Sequence, residues 1–314
     1  MQEIIKIDMP QDVVEIIQGL CSHGFAAYAV GGCVRDTLLG VEPKDWDITT
    51  SASPVQVKEI FGHTLDTGIE HGTVTIMRGK IGYEVTTYRI DGKYSDGRHP
   101  DQVKFTPNLF EDLRRRDFTI NAMAYSDETG LVDEFCGMED LEKKVVRCVG
   151  EAKERFQEDA LRMLRAIRFS AQLGFTIESD TWQAMIQMAK NLSLVSKERI
   201  LVELTKTICS SHPEMVKKIF DSGLHKEIGQ HFSSLSARDA EVMAFSGQLP
   251  EEKHLRFALL FKNKSGEEAK AILKELKADN DTIKKVKILV EYIDRKLPRN
   301  EKRMRQALSE IGPE

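Results

Sequence analysis

The spacing of apolar residues changes near residue 148, and this change constrains the fold more than any other feature of the chain. Before it, TVTIMR (73–78) and YEVTTYR (83–89) are rich in β-branched and aromatic residues and are separated by GKIG, which predicts a β-hairpin. After it, RFQEDALRMLRAIRFSAQLG (155–174) and SKERILVELTKTI (196–208) repeat apolar residues at helical spacing. The sequence therefore predicts an α+β front domain followed by an all-helical rear half.

Shorter patterns predict further elements of the front domain. They are an amphipathic helix over residues 11–20 that ends near Gly24, a buried strand over 26–30, a short helix within GGCVRDTLLG (31–40), a strand over DWDIT (45–49) and a helix from Ser53-Pro54 to Phe61.

Cysteine spacing and hydropathy exclude several classes of protein. The five cysteines are scattered and form no CxxC pair, so neither a zinc site nor a disulfide framework is predicted. The N-terminus has no basic region followed by an apolar run, and no uncharged apolar stretch approaches about 18 residues. We therefore expect a cytoplasmic protein with no membrane span, whereas the net charge of -5 does not decide its partner.

Two acids flank a tryptophan in KDWDITTSASP (44–54). In a strand, Asp45 and Asp47 share one face while their neighbours pack into the core. Carboxylates this close repel each other unless a cation lies between them, and oxygen ligands favour magnesium. Glu84 adds a third acid on a later strand, and acids on adjacent strands can hold two magnesium ions. The alternative is a polar strand face beside a helix N-cap.

Two glycines open the short helix that precedes these acids. Gly31 and Gly32 would leave backbone N–H groups free to hold phosphates, with Arg35 close by. A glycine pair is more often a plain turn. Beside candidate metal ligands, it indicates a nucleoside triphosphate site.

The stretch LRRRDFTINAMAY (113–125) places three arginines, an aspartate and an asparagine before an apolar run. One interpretation is a charged loop in which Asp117 caps a helix. The functional interpretation pairs the arginines with a triphosphate, and Asp117 and Asn121 with ribose hydroxyls.

The first rear helix carries Asp159, Arg162, Arg165 and Arg168, and its spacing brings Asp159 and Arg162 side by side. The simplest interpretation is an intrahelical ion pair of little energetic weight. The functional interpretation is that the carboxylate accepts from an exocyclic amino group while the guanidinium donates to a ring nitrogen. Cytosine and adenine present that pattern, whereas uracil and guanine present the reverse, so the pair could select C and A without a template.

Together these stretches resemble the class II tRNA nucleotidyltransferases, or CCA-adding enzymes, which share a polymerase-β-like head with bacterial poly(A) polymerases. The matching stretches run in the family's order over roughly residues 26–206 and are GGCVRD, DWDITTSASP, HGTVTI, EVTTYR, RRRDFTINAMAY, GLVDEFCG, EDALRMLRAIRF and SKERILVELTK. The resemblance implies a mixed-sheet head over residues 1–148, a helical neck over 149–205 that recognises the base, and a helical body over 206–314 that binds tRNA but lacks a full tail.

The resemblance also implies a role for each candidate residue. Asp45 and Asp47 become metal ligands with Glu84 as a further catalytic acid, and magnesium, as two ions, becomes the cofactor. The implied nucleotide-binding residues are Gly31, Gly32, Arg35, Arg116, Asp117, Asn121, Asp159, Arg162, Arg165 and Arg168, of which Asp159 and Arg162 read the base.

The implied reaction is template-independent addition of C and A to the 3′ end of tRNA from CTP and ATP, with release of pyrophosphate. The segment RIDGKYSDGRHPDQVKFTPNLFEDL (89–113) fills the place of a flexible loop whose presence favours full CCA or terminal A addition over C addition alone. Open alternatives are an A-adding enzyme, a poly(A) polymerase, and a non-catalytic RNA-binding protein. The basic stretch DRKLPRNEKRMRQ is interpreted as a solvated helix end, with contact to RNA as the alternative. Members of the family generally continue into a further helical tail, whereas this chain stops at Glu314. Three interpretations stay open, namely weak tRNA binding, a shortened chain and a narrowed specificity.

Overall fold

The computed structural model describes residues 5–92 and 103–293 and separates the chain into two compact units, Met1–Glu158 and Asp159–Glu314. The division into head, neck and body at residues 148 and 205 stays a prediction. The front-unit strands are β1 Ala27–Val30, β2 Ile48–Thr50, β3 Thr64–Gly68, β4 Thr73–Arg78, β5 Ile81–Thr87, β6 Arg89–Asp91, β7 Val103–Phe105, β8 Ala124–Ser126, β9 Gly130–Val132 and β10 Val145–Val146. Its helices are α1 Gln11–Ser22, α2 Gly32–Leu38, α3 Pro54–Ile60, α4 Leu109–Arg114, α5 Gly137–Glu142 and α6 Ala152–Glu158.

The rear unit is built almost entirely from helices. Up to residue 293, where the description of this unit ends, the α-helices are α7 Leu161–Leu173, α8 Ser179–Met188, α9 Lys197–Ile208, α10 Lys217–Asp221, α11 His225–Ile228, α12 Ala237–Glu241, α13 Lys253–Leu260, α14 Gly266–Glu275 and α15 Asn280–Tyr292, and the strand is β11 Thr176–Ile177. Across the described parts of both units, no helix combines the length and the apolar character needed to span a membrane.

A mixed sheet organises the front unit, as the sequence predicts. In the described residues its strand order is β3-β4-β5-β2-β1-β8-β9. The predicted hairpin is confirmed, because β4 and β5 pair antiparallel up to Arg78 opposite Ile81. Strand β2 pairs antiparallel with β1 and parallel with β5, so it lies between two neighbours that fix its register.

One side of this sheet packs against the first helix. The predicted opening helix is confirmed as α1, whose buried face includes Val13, Ile16 and Leu20. The sheet contributes Ile48 and Val85, each only 1% exposed. Because side chains alternate along a strand, the residues before Ile48 and Val85 point away from this core.

Strand β2 begins later than predicted. The sequence pattern predicts a strand over 45–49, but Asp45, Trp46 and Asp47 belong to no strand, and β2 starts at Ile48. The backbone still continues the ladder, since the Val30 amide donates to the Asp47 carbonyl at 3.0 Å. The acids therefore lie at the end of the strand rather than within it.

The helix predicted over 155–174 is interrupted. Helix α6 ends at Glu158 and α7 begins at Leu161. The Asp159 carboxylate accepts a hydrogen bond from the Leu161 amide at 3.0 Å. An aspartate that bonds the backbone two residues on competes with the helical pattern, which accounts for the break.

A carboxylate at the end of α14 organises a loop of the rear unit. Glu275 accepts hydrogen bonds from the backbone amides of Gln230, His231 and Phe232 at 2.7–3.1 Å.

We expect Glu275→Gln to lower the free energy of unfolding by about 1–3 kcal/mol. The NH2 group of glutamine is a donor, so at least one of the three backbone N–H groups would lose its acceptor. Urea denaturation measures this, with the exposed Glu251→Gln as the control; equal stability of the two variants would contradict the expectation.

Candidate active site

The register of β2 and β5 brings two of the candidate acids together. Ile48 pairs with Val85 in this parallel pair, so Asp47 and Glu84, which precede them, occupy adjacent positions on the side away from the core. Both residues retain solvent-accessible surface, although neighbouring protein atoms crowd the Asp47 carboxylate enough to desolvate it in part. The carboxylates predicted from two separate stretches therefore stand on the same face of the sheet.

The electrostatics of Asp47 show that Asp45 and an arginine belong to the same cluster. Desolvation by the surrounding protein raises the pKa of Asp47; the Arg116 guanidinium lowers it, and the negative charges of Glu84 and Asp45 raise it further. The net pKa is raised, because one guanidinium does not offset the desolvation and the two neighbouring carboxylates. A cation at this position would relieve that repulsion.

The donor set fits magnesium held by a pair of carboxylates. In the parts of the chain that the structure describes, no group of three or more His, Cys, Asp or Glu side chains is arranged to hold a metal ion. Magnesium is usually bound by one or two carboxylates, with water and substrate phosphates completing the shell. Asp45 and Asp47 can supply that pair, with Glu84 as a neighbouring negative charge.

Gly31 provides the space in which Arg116 lies. Its φ of 83° is in the left-handed region, and a Cβ at this position would come 3.1 Å from Nη1 of Arg116. At Gly32, a Cβ would come 3.6 Å from Nη2 of Arg35. Gly31 therefore allows Arg116 to approach the backbone between β1 and α2, whereas the distance at Gly32 is an ordinary contact that requires no glycine.

Arg35, Asn121 and Asp117 form one hydrogen-bonded chain. Arg35 donates to Asn121 Oδ1 at 2.5 Å and to its neighbour Asp36 at 2.8 Å. Asn121 in turn donates to Asp117 Oδ1 at 3.2 Å. Arg35, Asn121 and Asp117 are each less than 9% exposed. The structure thus joins Arg35 to two nucleotide-binding candidates, Asn121 and Asp117, that lie far from it in the sequence.

A buried acid that the sequence patterns do not identify, Asp112, holds Arg116 and its neighbour Arg115. The Asp112 side chain is fully buried and accepts from Thr49 Oγ1 at 3.1 Å, from the Arg89 amide at 3.3 Å, from Arg115 at 2.7 Å and from Arg116 at 3.2 Å. Burial alone would raise its pKa, but the guanidinium groups of Arg116 and Arg115 lower it below the ordinary value. The sequence signal that could have identified Asp112 is its position four residues before Arg116, a spacing that brings two side chains together on a helix.

The rear unit holds a second set of candidates. Arg199 is a charge partner of Asp159 and donates to its two carboxylate oxygens at 3.3 and 2.7 Å. The Arg162 amide donates to the Asp159 carbonyl at 3.0 Å, so both residues belong to the first turn leading into α7. Arg199 was missed because it is 40 residues away in the chain, although it lies in SKERILVELTK.

Arg165 and Arg168 also lie on α7. Arg168 forms an ion pair with Glu203 at 2.6 Å, and its guanidinium lies 4.0 Å from the centre of the Phe169 ring. Arg165 lies over the same ring at 5.5 Å. Arg168 is 8% exposed and therefore also packs α7 against α9. Nucleotide binding by both arginines stays a prediction.

Two predicted segments fall partly or wholly outside the described residues. The centre of the loop over 89–113 is one, because residues 93–102 are not described. The strands that flank it, β6 and β7, pair from Arg89 opposite Phe105 to Asp91 opposite Val103. The basic stretch over 294–306 is the other.

Two family models match this chain, one within the front unit and one within the rear unit. Residues 27–147 match a family model described as the poly A polymerase head domain, and residues 174–234 match one described as a probable RNA and SrmB-binding site of polymerase A. The CCA-adding enzyme of Pediococcus pentosaceus is 40% identical over 313 residues, which cover 97% of this chain and 78% of that protein.

Other relatives match over a shorter length. The CCA-adding enzyme of Leuconostoc mesenteroides is 50% identical over 206 residues, which are 65% of this chain and 51% of that protein. The chain thus spans about half the length of this relative and of similar ones. Among solved structures, the Bacillus stearothermophilus CCA-adding enzyme in complex with CTP has a TM-score of 0.82 at 36% identity, covering 96% of this chain and 74% of that one.

Proposed function

We propose a function from the premise that this chain belongs to the CCA-adding enzyme family, which its identity with the Pediococcus pentosaceus protein establishes. The protein adds C and A to the 3′ end of tRNA without a template, uses CTP and ATP, and releases pyrophosphate. The observation that carries the proposal is the placement of Asp47 beside Glu84 in the sheet register, with Asp45 and Arg116 acting on the same carboxylate.

Asp45 and Asp47 hold magnesium, as two ions, and Glu84 contributes negative charge beside them. When bound, magnesium lowers the pKa of the tRNA terminal hydroxyl and stabilises the pyrophosphate leaving group. Arg116, fixed by Asp112 and accommodated by Gly31, binds the triphosphate. Arginine suits this role because its planar fork matches phosphate oxygens.

The remaining nucleotide contacts come from Arg35, Asp117 and Asn121 for the phosphates and ribose, and from Asp159 and Arg162 for the base. A carboxylate and a guanidinium together match the amino and ring-nitrogen pattern of cytosine and adenine. The mismatched patterns of uracil and guanine leave polar groups unpaired, which excludes them.

Charge distribution supports tRNA as the partner of the rear unit. Residues 159–314 contain 27 lysines and arginines against 22 acids, whereas residues 1–158 contain 18 against 28. Contact with a phosphate backbone draws on lysine and arginine. The basic half is therefore the half suited to hold tRNA.

We place the protein in the cytoplasm. Its five cysteines, Cys21, Cys33, Cys136, Cys148 and Cys209, are all free thiols. Free thiols fit a reducing compartment, although they do not identify it.

The proposal is tested by nucleotide incorporation with magnesium on three tRNA transcripts, ending before CCA, after C and after CC. Each is offered CTP, ATP, UTP and GTP separately, and CTP with ATP. We expect C on the first two and a single A on the third. A on the third alone would indicate an A-adding enzyme, long A tails a poly(A) polymerase, and tRNA binding without incorporation a non-catalytic protein.

A further inference from the structure

A bidentate ion pair with Arg199 fixes the carboxylate of Asp159. Nη2 of Arg199 donates to Oδ2 at 2.7 Å and Nη1 donates to Oδ1 at 3.3 Å. The Leu161 amide adds a third donor to Oδ1 at 3.0 Å. Both carboxylate oxygens are therefore held, and the plane of the group is set by the plane of the guanidinium.

The pair is shielded from solvent as well as geometrically defined. The Asp159 side chain is 14% exposed and that of Arg199 is 23% exposed. Partial burial strengthens a charge-assisted hydrogen bond and reduces its screening by salt. Rotation of the Asp159 carboxylate would break two or three hydrogen bonds at once.

We propose that Arg199 is a positioning residue for base selection, acting by fixing the plane in which Asp159 presents its free lone pairs to the nucleobase. This inference rests on the proposed function, in which Asp159 accepts from the amino group of cytosine or adenine. A freely rotating carboxylate would also accept from the ring N–H of uracil or guanine, because its oxygens are equivalent acceptors. Holding the plane restricts the direction from which a donor can approach.

Arginine is required for this role because lysine is a point charge. Its ammonium can neutralise Asp159 but cannot hold two oxygens in one plane. Arg199→Lys therefore separates charge from geometry, and Arg199→Gln removes both. Lys206→Gln is the matched control, since Lys206 lies on the same helix, α9, and is exposed.

The primary measurement is equilibrium binding of CTP and UTP to the full chain with magnesium and without tRNA. We expect the ratio of the UTP to the CTP dissociation constant to fall about tenfold in Arg199→Gln and Arg199→Lys and to stay unchanged in Lys206→Gln. Thermal unfolding is measured on the same samples. Arg199→Lys should recover most of any lost stability without recovering the ratio, which a purely structural role would not produce.

A double-variant comparison tests whether Arg199 acts through Asp159. If it does, adding Arg199→Gln to Asp159→Asn leaves the ratio where Asp159→Asn alone puts it. Independent, additive losses would overturn the proposal. So would an unchanged ratio in Arg199→Gln, an equal loss of CTP and UTP binding, or a wild-type protein that binds both nucleotides alike.

The transcript assay is run in parallel and separates this inference from the proposed function. Selective binding of CTP that depends on Arg199, without extension of any transcript, would support the positioning role and contradict the reaction. Extension by the wild type with unaltered selectivity in the Arg199 variants would do the opposite.

Discussion

Asp47→Asn is expected to abolish nucleotide incorporation while leaving the front unit folded. The substitution removes one of the two carboxylates proposed to hold magnesium. Loss of groups that merely orient metal ligands costs about 10- to 100-fold, so loss of a ligand should lower kcat/KM by more than about 100-fold. Initial rates of CTP incorporation measure this, with Glu59→Gln on α3 as an exposed acid-to-amide control.

The same variant should be no less stable than the wild type. The Asp47 pKa is raised because desolvation and the charges of Glu84 and Asp45 outweigh the attraction of Arg116. Its ionised form therefore costs stability near neutral pH, and a neutral asparagine removes that cost. Full activity with an unchanged magnesium requirement would reject the metal assignment, and a large drop in thermal midpoint would mean that lost activity reports unfolding.

The raised pKa also sets the direction of a pH effect. The destabilisation from Asp47 is absent below the unfolded-state pKa of about 3.9 and grows as the pH rises to the folded-state value. Protons compete with magnesium over that range, so the magnesium needed for half-maximal incorporation should rise as the pH falls.

Asp112→Asn is expected to give the largest loss of stability among the front-unit variants. Its carboxylate is completely buried and neutralises Arg115 and Arg116. Removing one partner of a buried ion pair typically costs about 3–5 kcal/mol, and the two arginine side chains, only 18% and 19% exposed, would lose the carboxylate that compensates them. Urea denaturation measures the change, and Glu111→Gln, the preceding residue on α4, is the control. A loss below about 1 kcal/mol would show that the pair is not a major stabilising contact.

The pH dependence of this contribution has the opposite sign to that of Asp47. The folded-state pKa of Asp112 lies below the unfolded value, so its stabilisation is present above about pH 3.9 and is lost as the pH falls through the folded-state pKa. In Asp112→Asn this acid-sensitive part should disappear. Incorporation should also fall, because Arg116 would lose its hydrogen bond to Asp112.

Local patterns were sufficient for the hairpin of β4 and β5 and for the face of the sheet on which the acids lie, but not for the order of the strands. Strand alternation predicts which face each acid takes, and the pairing of β2 with β5 confirms that Asp47 and Glu84 stand together. The predicted start of β2 was wrong. Polar and apolar residues alternate from Asp45 onward, but the pairing with β1 that defines the strand begins only at Ile48. A repeating pattern identifies a face more reliably than it identifies an end.

The partners of the charged residues could not be predicted in the same way. Asp112 lies in a run of acids and arginines that is typical of a solvated helix, and only tertiary packing buries it. Arg199 contacts Asp159 across 40 residues, and spacing rules describe only neighbours within a few residues. The break at Asp159 was missed because the apolar period runs through it without a glycine or proline.

The short strand β2 also has a consequence for chain length in evolution. Ile48 faces Ala29 on one side and Val85 on the other, so an inserted or deleted residue after Asp47 would turn its carboxylate toward the core. The connection over residues 42–44 belongs to no helix or strand and has no such restriction. Related sequences should therefore vary in length before residue 45 and keep a fixed count from Asp45 to Thr50, so a gap in an alignment there would itself mark a chain that has lost this chemistry.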